Sequence, residues 1–256
     1  LKQYKGYLID LDGTMYRGNE LIEGAAEFVA ALDHKQIPYL FVTNNSSMTQ
    51  TAVSDKLNKM GILSTPDHVF TSSMATANYI QARQEHARCY VIGEAGLQHA
   101  LEQKDLIIAT DACDFVVAGI DRAISYEKLS AACLEIRRGA YFISTNSDVA
   151  LPTERGLEPG NGALTSVLTV STGREPTFIG KPESIIMDEA LAVLGLTKEE
   201  TIMVGDNYDT DICAGMNAGM DTLLVFTGVT PLAALSQLES PPTYHIQQLQ
   251  EWITNL

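Results

Sequence analysis

Short apolar runs alternate with segments of helical periodicity along almost the whole chain, and no other feature limits the fold as much. YLID, residues 7–10, is followed by EGAAEFVAALDHKQI, which carries Ala26, Val29, Ala30 and Leu32 among its apolar positions. PYLFVTNN is a second run, and a helical TQTAVSDKLNKMGI follows it. HVFTSS then leads into the helical MATANYIQARQE. RCYVIG, FVVAGI and AYFIST are further β-rich runs. Between the last two, Leu129, Ala132, Cys133 and Ile136 fall at i, i+3, i+4 and i+7, and Gly139 suits the end of that helix. SIIMDEALAVLGL and DICAGMNAGM read as helices, TIMVGD and TLLVFTG as strands. This βαβα rhythm predicts an α/β fold, a Rossmann-like parallel sheet with helices on both faces.

Ligands in such folds sit at the carboxyl ends of the strands. Three runs end there in similar polar chemistry: YLID-LD, LFVT-NN and IMVG-DN. The interval from Thr14 to Thr43 holds one helix, whereas the interval from Asn44 to Lys181 is far longer and includes three further strand-like runs. If residues 43 and 181 serve one site, the middle of the chain must loop out as a second domain. The expectation is a catalytic core of residues 1–79 and 181–256, with an inserted α/β cap over 80–180. Polar, turn-prone stretches, QARQEHAR and STGREPTFIG, bound the insertion.

Composition narrows the partners. At 256 residues and 45% hydrophobic, the chain can bury a substantial core. It has no run of about 18 apolar residues, so no membrane span is expected. The N-terminal residues lack the pattern of a secretory signal. Cysteines 89, 113, 133 and 213 form no C-x-x-C pair, and thiols in a reducing cytoplasm are expected. The net charge is −15 with no basic stretch, which argues against nucleic acid as the main partner. A small phosphate substrate is still compatible, because a bound cation and a nearby lysine can reverse the local field.

Asp10 and Asp12 stand at i and i+2 at a strand end, so both carboxylates can face one crevice if the extended geometry persists. Such a pair suits a divalent cation or an acid/base couple, and it also suits a solvated Asp-Gly turn. VGDNYDTD adds Asp206 at another strand end, where it could complete an oxygen-rich Mg²⁺ site. Asp211 lies just beyond and is equally placed to cap the following helix. Thr43, with Asn44, can hold phosphate oxygens at a strand end, and Lys181 in IGKPES brings a compact positive charge near a helix start. Together these residues make a phosphoryl-transfer site with an aspartate nucleophile.

The order DLDGT, VTNN, GKP, GDNYDTD resembles the four motifs of the haloacid dehalogenase superfamily. The resemblance spans nearly the whole chain. LEPGNGALTS, GREPTFIGKPE and VGDNYDTDICAGMNAGMDTLLVFTGV are similar to the NagD-like, 4-nitrophenylphosphatase-like branch. The resemblance implies a Mg²⁺-dependent phosphatase acting through an aspartyl-phosphate. Asp10 would be the nucleophile and Asp12 the general acid/base. Thr43, Asn44 and Lys181 would hold the phosphoryl group. Asp10, Asp206 and the backbone carbonyl of Asp12 would hold the metal, with Asn207 and Asp211 in support.

A phosphotransferase or mutase on the same fold and a non-catalytic phosphate-binding protein are the competing readings. The interval between the first two motifs is too short for the cap usual in mutases. The loop TNSDVALPTERGLEPGNGA, with Asn146, Asp148 and Glu154, is expected to read the leaving group. The substrate class is a small phosphorylated metabolite, such as a sugar phosphate or nucleoside monophosphate, and the cap offers a surface for a homodimer.

Overall fold

The computed structural model describes all 256 residues. The chain separates into two compact units: Leu1–Thr43, Thr51–Phe70 and Lys181–Leu256 in one, Asn44–Gln50 and Thr71–Gly180 in the other.

The first unit is built on a six-stranded sheet in the order Tyr244–Ile246, Asp221–Val225, Thr201–Gly205, Gly6–Ile9, Tyr39–Thr43, Val69–Thr71. The pairings from Tyr244–Ile246 across to Tyr39–Thr43 are parallel. The central strands GYLI, YLFVT and TIMVG are buried at every position. That is why they read as unbroken apolar runs: a parallel sheet is covered on both faces. The helix Ala25–His34 packs against the C-terminal helix Gln250–Ile253, and Ser184–Leu194 packs against Cys213–Asn217. Beneath the first pair, Phe28 meets the edge of Tyr7 at 5.8 Å, and Trp252 donates its indole N–H to the Tyr7 hydroxyl at 3.1 Å. The buried hydroxyl is thereby satisfied inside an apolar core.

The second unit carries a five-stranded parallel sheet, in the order Thr177–Phe178, Tyr141–Ser144, Phe115–Ala118, Arg88–Ile92, Ile107–Ile108. The helix Tyr126–Arg138 presents Ala132 and Ile136 to Ile92, Val116, Ala118 and Phe142, and Leu168 of the helix Asn161–Thr172 closes the same cluster. The Ser125 hydroxyl caps the first of these helices by accepting from the Lys128 N–H, and Gly139 ends it.

Three elements differ from the sequence reading. The stretch expected as a loop after AYFIST contains an antiparallel hairpin, Ala150–Thr153 with Gly156–Pro159, and then the helix Asn161–Thr172. Pro152 and Pro159 disguise the strands, because proline is expected only at sheet edges and a two-stranded ribbon is all edge. DICAGMNAGM is not one helix: Tyr208–Ile212 forms a wide π turn and the α-helix is Cys213–Asn217. The strand Tyr244–Ile246 follows Pro241 and Pro242 and is too short for its period to show. All four cysteines are free thiols, and burial pushes that of Cys89 up to about 12.

Phe28 is fully buried at the junction of helix and sheet. Phe28→Ala is expected to lower unfolding stability by about 3–5 kcal/mol, the usual loss for an aromatic-sized cavity, in a urea titration.

Candidate active site

Strand register brings the first carboxylates together. Ile9 pairs with Val204 on one side and Phe41 on the other, so the residues that follow emerge at one edge of the sheet. These are Asp10, Val42–Thr43 and Gly205–Asp206. The Asp10 backbone N–H donates to Val204 O at 2.9 Å, which locks this register one residue past the strand. Leu11 turns into the core at 1% exposure, and Asp12 reaches solvent. Gly13, at φ +91°, then reverses the chain so closely that a Cβ there would lie 2.4 Å from the Asp206 carboxylate.

Lys181 is the centre of the cluster. Its ammonium, 2% exposed, donates to Asp10 Oδ1 at 2.5 Å, Asp211 Oδ1 at 2.7 Å and Val42 O at 3.0 Å. Burial alone would lower its pKa, but the two carboxylates overcome that and hold it above its ordinary value. The wide turn Tyr208–Ile212 makes this contact possible. Asp211 N and Ile212 N both donate to Asn207 O, so Asp211 folds back and its Oδ2 accepts from Asn207 N at 3.0 Å. Asn207 also caps the turn, its Oδ1 accepting from Asp209 N at 3.1 Å. The capping role open to Asp211 thus falls to Asn207, and the Asp211 carboxylate faces Lys181.

Asp206 has no exposed surface and is held by neutral donors. Thr14 Oγ1 donates to its Oδ1 at 3.0 Å and lies 3.4 Å from Asp10 Oδ2. Val229 N donates to its Oδ2 at 2.7 Å. Gly228 is needed here, since a Cβ would lie 1.9 Å from that oxygen. The loop around it is stapled in turn. Thr227 Oγ1 donates to Gly13 O at 2.7 Å, and Arg17 donates to Thr227 O from Nε at 2.8 Å and from Nη2. Thr230 N donates to Asp206 O, and the Thr230 hydroxyl accepts from Tyr208 N. Thr14, Arg17, Thr227, Val229 and Thr230 were not singled out from sequence. Thr14 ends the DLDGT motif and the TGVT turn after an apolar strand holds Thr227, Val229 and Thr230, whereas Arg17 carried no signal.

Asp10, Asp206 and Asp211 offer carboxylate oxygens within 4.8 Å of one another. Three buried carboxylates therefore share the single ammonium of Lys181. Burial and Asp211 raise the Asp10 pKa well above its ordinary value despite Lys181. Burial and Asp211 push Asp206 up to about 6, while Val229 N and Thr14 pull it back. Hard oxygen donors with uncompensated negative charge fit a hard divalent cation. Asp12 stands apart from this group. Crowding by surrounding protein raises its carboxyl pKa, and Lys56, Lys181 and the Tyr16 hydroxyl, 3.5 Å from its Oδ2, pull it down.

In the second unit, Asn44, Asn146 and Asp148 come together. Asn44 Nδ2 lies 3.2 Å from Asp148 Oδ1, and Asn44 O accepts from Asn146 Nδ2 and Ser72 Oγ, each at 2.8 Å. Asn146 Oδ1 accepts from Asp148 N, so its amide is engaged at both ends. Glu154 is elsewhere, on the exposed tip of the hairpin.

Residues 7–107 match the haloacid dehalogenase-like hydrolase family, and residues 178–252 match a HAD-hydrolase-like family. The 5'-nucleotidase YutF of Bacillus subtilis is 60% identical over 253 residues, 99% of each chain. The acid sugar phosphatase of Staphylococcus aureus is 53% identical, over 100% of this chain and 99% of its own. The structure of NagD from Escherichia coli K-12 is 34% identical and superposes with a TM-score of 0.92 over 98% of both chains. The chain belongs to the haloacid dehalogenase-like hydrolases, in their NagD-like branch. No helix in it is long and apolar enough to cross a membrane.

Carboxylates with raised pKa values bind protons more tightly in the folded state, so their contribution to stability falls as pH rises from the ordinary carboxylate range through about 6. A divalent cation prefers the ionised forms and opposes that loss. Added Mg²⁺ is therefore expected to raise the melting temperature more at about pH 7.5 than at about pH 5, relative to chelator, with Asp206→Asn losing most of the increment. Thermal melts of the four combinations measure it.

Proposed function

We propose that the protein is a Mg²⁺-dependent phosphatase of small phosphomonoesters that works through an aspartyl-phosphate on Asp10. The observation that carries this reading is the Lys181 ammonium held between Asp10 and Asp211, with Asp206 beside them. A lone nucleophilic carboxylate would be neutralised by burial. Here the ammonium favours its ionised form and also offsets the charge of an incoming phosphoryl group.

Asp10 attacks phosphorus, the new P–O bond forming as the bond to the leaving oxygen breaks. Asp12 gives its proton to that oxygen. Its raised pKa and separation from the carboxylate cluster suit a group that must carry a proton. Asp12 then takes a proton from the water that attacks the aspartyl-phosphate, and inorganic phosphate leaves with Asp10 restored. Thr43, buried at its strand end, donates its hydroxyl to the phosphoryl oxygens, and Asn44 assists from the next position. Asp211 holds Lys181, and Asn207 holds Asp211. Asp10, Asp206 and the backbone carbonyl of Asp12 would hold Mg²⁺, which supplies charge neutralisation at the phosphoryl oxygens.

The inserted segment of about residues 80–180 acts as the cap that selects the leaving group, a role supported by its lying within a separate compact unit, Asn44–Gln50 with Thr71–Gly180. In this reading the cap loop that carries Asn146, Asp148 and Glu154 reads the leaving group, and Asn146 is engaged at both ends of its amide. A nucleotidase and a sugar phosphatase among the relatives support small phosphorylated metabolites as substrates. Four free thiols suit a cytoplasmic enzyme.

Purified protein is expected to release phosphate from an aryl phosphate with Mg²⁺ and to stop with chelator. Asp10→Asn should abolish turnover. Asp12→Asn should lower kcat by about 10²–10⁴-fold. A stable phosphate adduct at a residue other than Asp10 in quenched reactions would overturn the reading.

A further inference from the structure

Asp12 stands past the end of its strand with an exposed side chain, unlike the buried Asp10 and Asp206, which several donors hold. A proton carrier must still keep its carboxyl in place, because a misplacement of about 1 Å can cost about 10²-fold in rate. The turn after Asp12 provides the means. Gly13 N donates to Tyr16 O at 2.8 Å and Tyr16 N to Leu11 O at 3.3 Å, so the chain folds back and sets Tyr16 beside Asp12. Tyr16 is 4% exposed, and its hydroxyl lies 3.5 Å from Asp12 Oδ2. The contact is long, as catalytic hydrogen bonds often are before substrate binds. Burial, with Asp12 and Asp10 nearby, raises the pKa of this hydroxyl, so it stays protonated and donates to the carboxylate. Lys56, half-buried on the helix Gln50–Lys59, covers the ring: its ammonium stands 4.0 Å from the centroid. The attraction of a cation to an aromatic face holds the ring where it is.

We propose that Tyr16 is a positioning residue for proton transfer: its hydroxyl engages Asp12 Oδ2, so that Oδ1 hands the proton to the leaving oxygen, and Lys56 secures the ring that carries the hydroxyl. The inference rests on the phosphatase reading above and adds a residue to it. The two oxygens of a free carboxyl are equivalent; once a donor occupies one of them, the proton is carried on the other. Packing does not account for the tyrosine. A phenylalanine would fill the same buried space without the cost of placing a hydroxyl there, a cost that a hydrogen bond must offset. The group that the Tyr16 hydroxyl reaches is Asp12.

Proton donation matters most for an ester whose alcohol leaves poorly as an anion. The test therefore compares phenyl phosphate with 4-nitrophenyl phosphate, which differ little in shape and much in the acidity of the phenol, using the full chain with Mg²⁺. The ratio of their kcat/KM values reads the steps up to formation of the aspartyl-phosphate. Tyr16→Phe, which keeps the ring, is expected to lower kcat/KM for phenyl phosphate about tenfold further than for 4-nitrophenyl phosphate. Asp12→Asn has no proton to give, and adding Tyr16→Phe to it should change the ratio by less than about twofold. Lys56→Met should move the ratio in the same direction as Tyr16→Phe and add nothing in the Tyr16→Phe background. An equal loss on both esters, or a full tenfold shift that persists beside Asp12→Asn, is what a merely structural hydroxyl would give and would overturn the assignment of Tyr16. A ratio that Lys56→Met leaves unchanged would remove Lys56 from it. A wild-type protein that hydrolyses neither ester would overturn the phosphatase reading as well.

Discussion

The structure of the site depends on one buried ammonium shared among carboxylates. Lys181 touches Asp10 and Asp211, and Asp206 lies within the same cluster. Removing charges from water costs several kcal/mol for each ion, and attraction in the interior offsets that only with good geometry and further hydrogen bonds. The surrounding chain supplies those bonds. Val42 O accepts the ammonium's third contact, Asn207 N binds Asp211, and Thr14 and Val229 bind Asp206. Even so, three carboxylates against one ammonium leave negative charge uncompensated. That imbalance ties the fold to its chemistry: the site is arranged for a cation and a phosphoryl group, and its electrostatics are completed by what it binds.

The parallel sheet converts this requirement into geometry. Residues one step beyond paired parallel strands emerge at the same edge without needing loops to position them. Asp10 and Asp206 follow strands whose register is set by Ile9 and Val204, deep in the core. Their carboxylates are therefore held by apolar packing one and two residues back along the chain. Asp12 differs because the strand has ended before it. It stands at a turn, reaches solvent and belongs to no carboxylate cluster. Two aspartates in D-x-D thus acquire different electrostatic surroundings from one change in backbone direction, which is what a nucleophile and a proton carrier need.

Sequence carried the central strands and the clustered acids well, for a physical reason. A strand buried on both faces must be apolar throughout, so GYLI, YLFVT and TIMVG stand out, and the polar residues after them mark the edge of the sheet. What stayed hidden obeys weaker rules. The hairpin at Ala150–Pro159 is exposed, so its strands needed no apolar alternation, and its prolines pointed the other way. The π turn at Tyr208–Ile212 has no compositional signature; it exists because Asp211 must turn back towards Asn207 N and Lys181. Arg17 and Thr227 act through a backbone carbonyl, a contact that leaves no trace in residue type beyond the arginine itself.

That carbonyl contact shows how far the site extends beyond its charged residues. The loop after Asp221–Val225 brings Val229 N to Asp206, and it can do so only because Gly228 has no Cβ to meet the carboxylate. Thr227 fastens the same loop to Gly13, and Arg17 fastens Thr227 from the short hairpin that follows the first motif. The nucleophile's own turn and the loop that orients Asp206 are thus one hydrogen-bonded assembly, although the chain separates them by most of its length. A carboxylate oriented by neutral donors has no protein cation bonded to it, whereas one paired with lysine does. Asp206 has the first arrangement and Asp211 the second, so the two acids differ in what they can still bind, and the difference lies in their partners and not in the residue type.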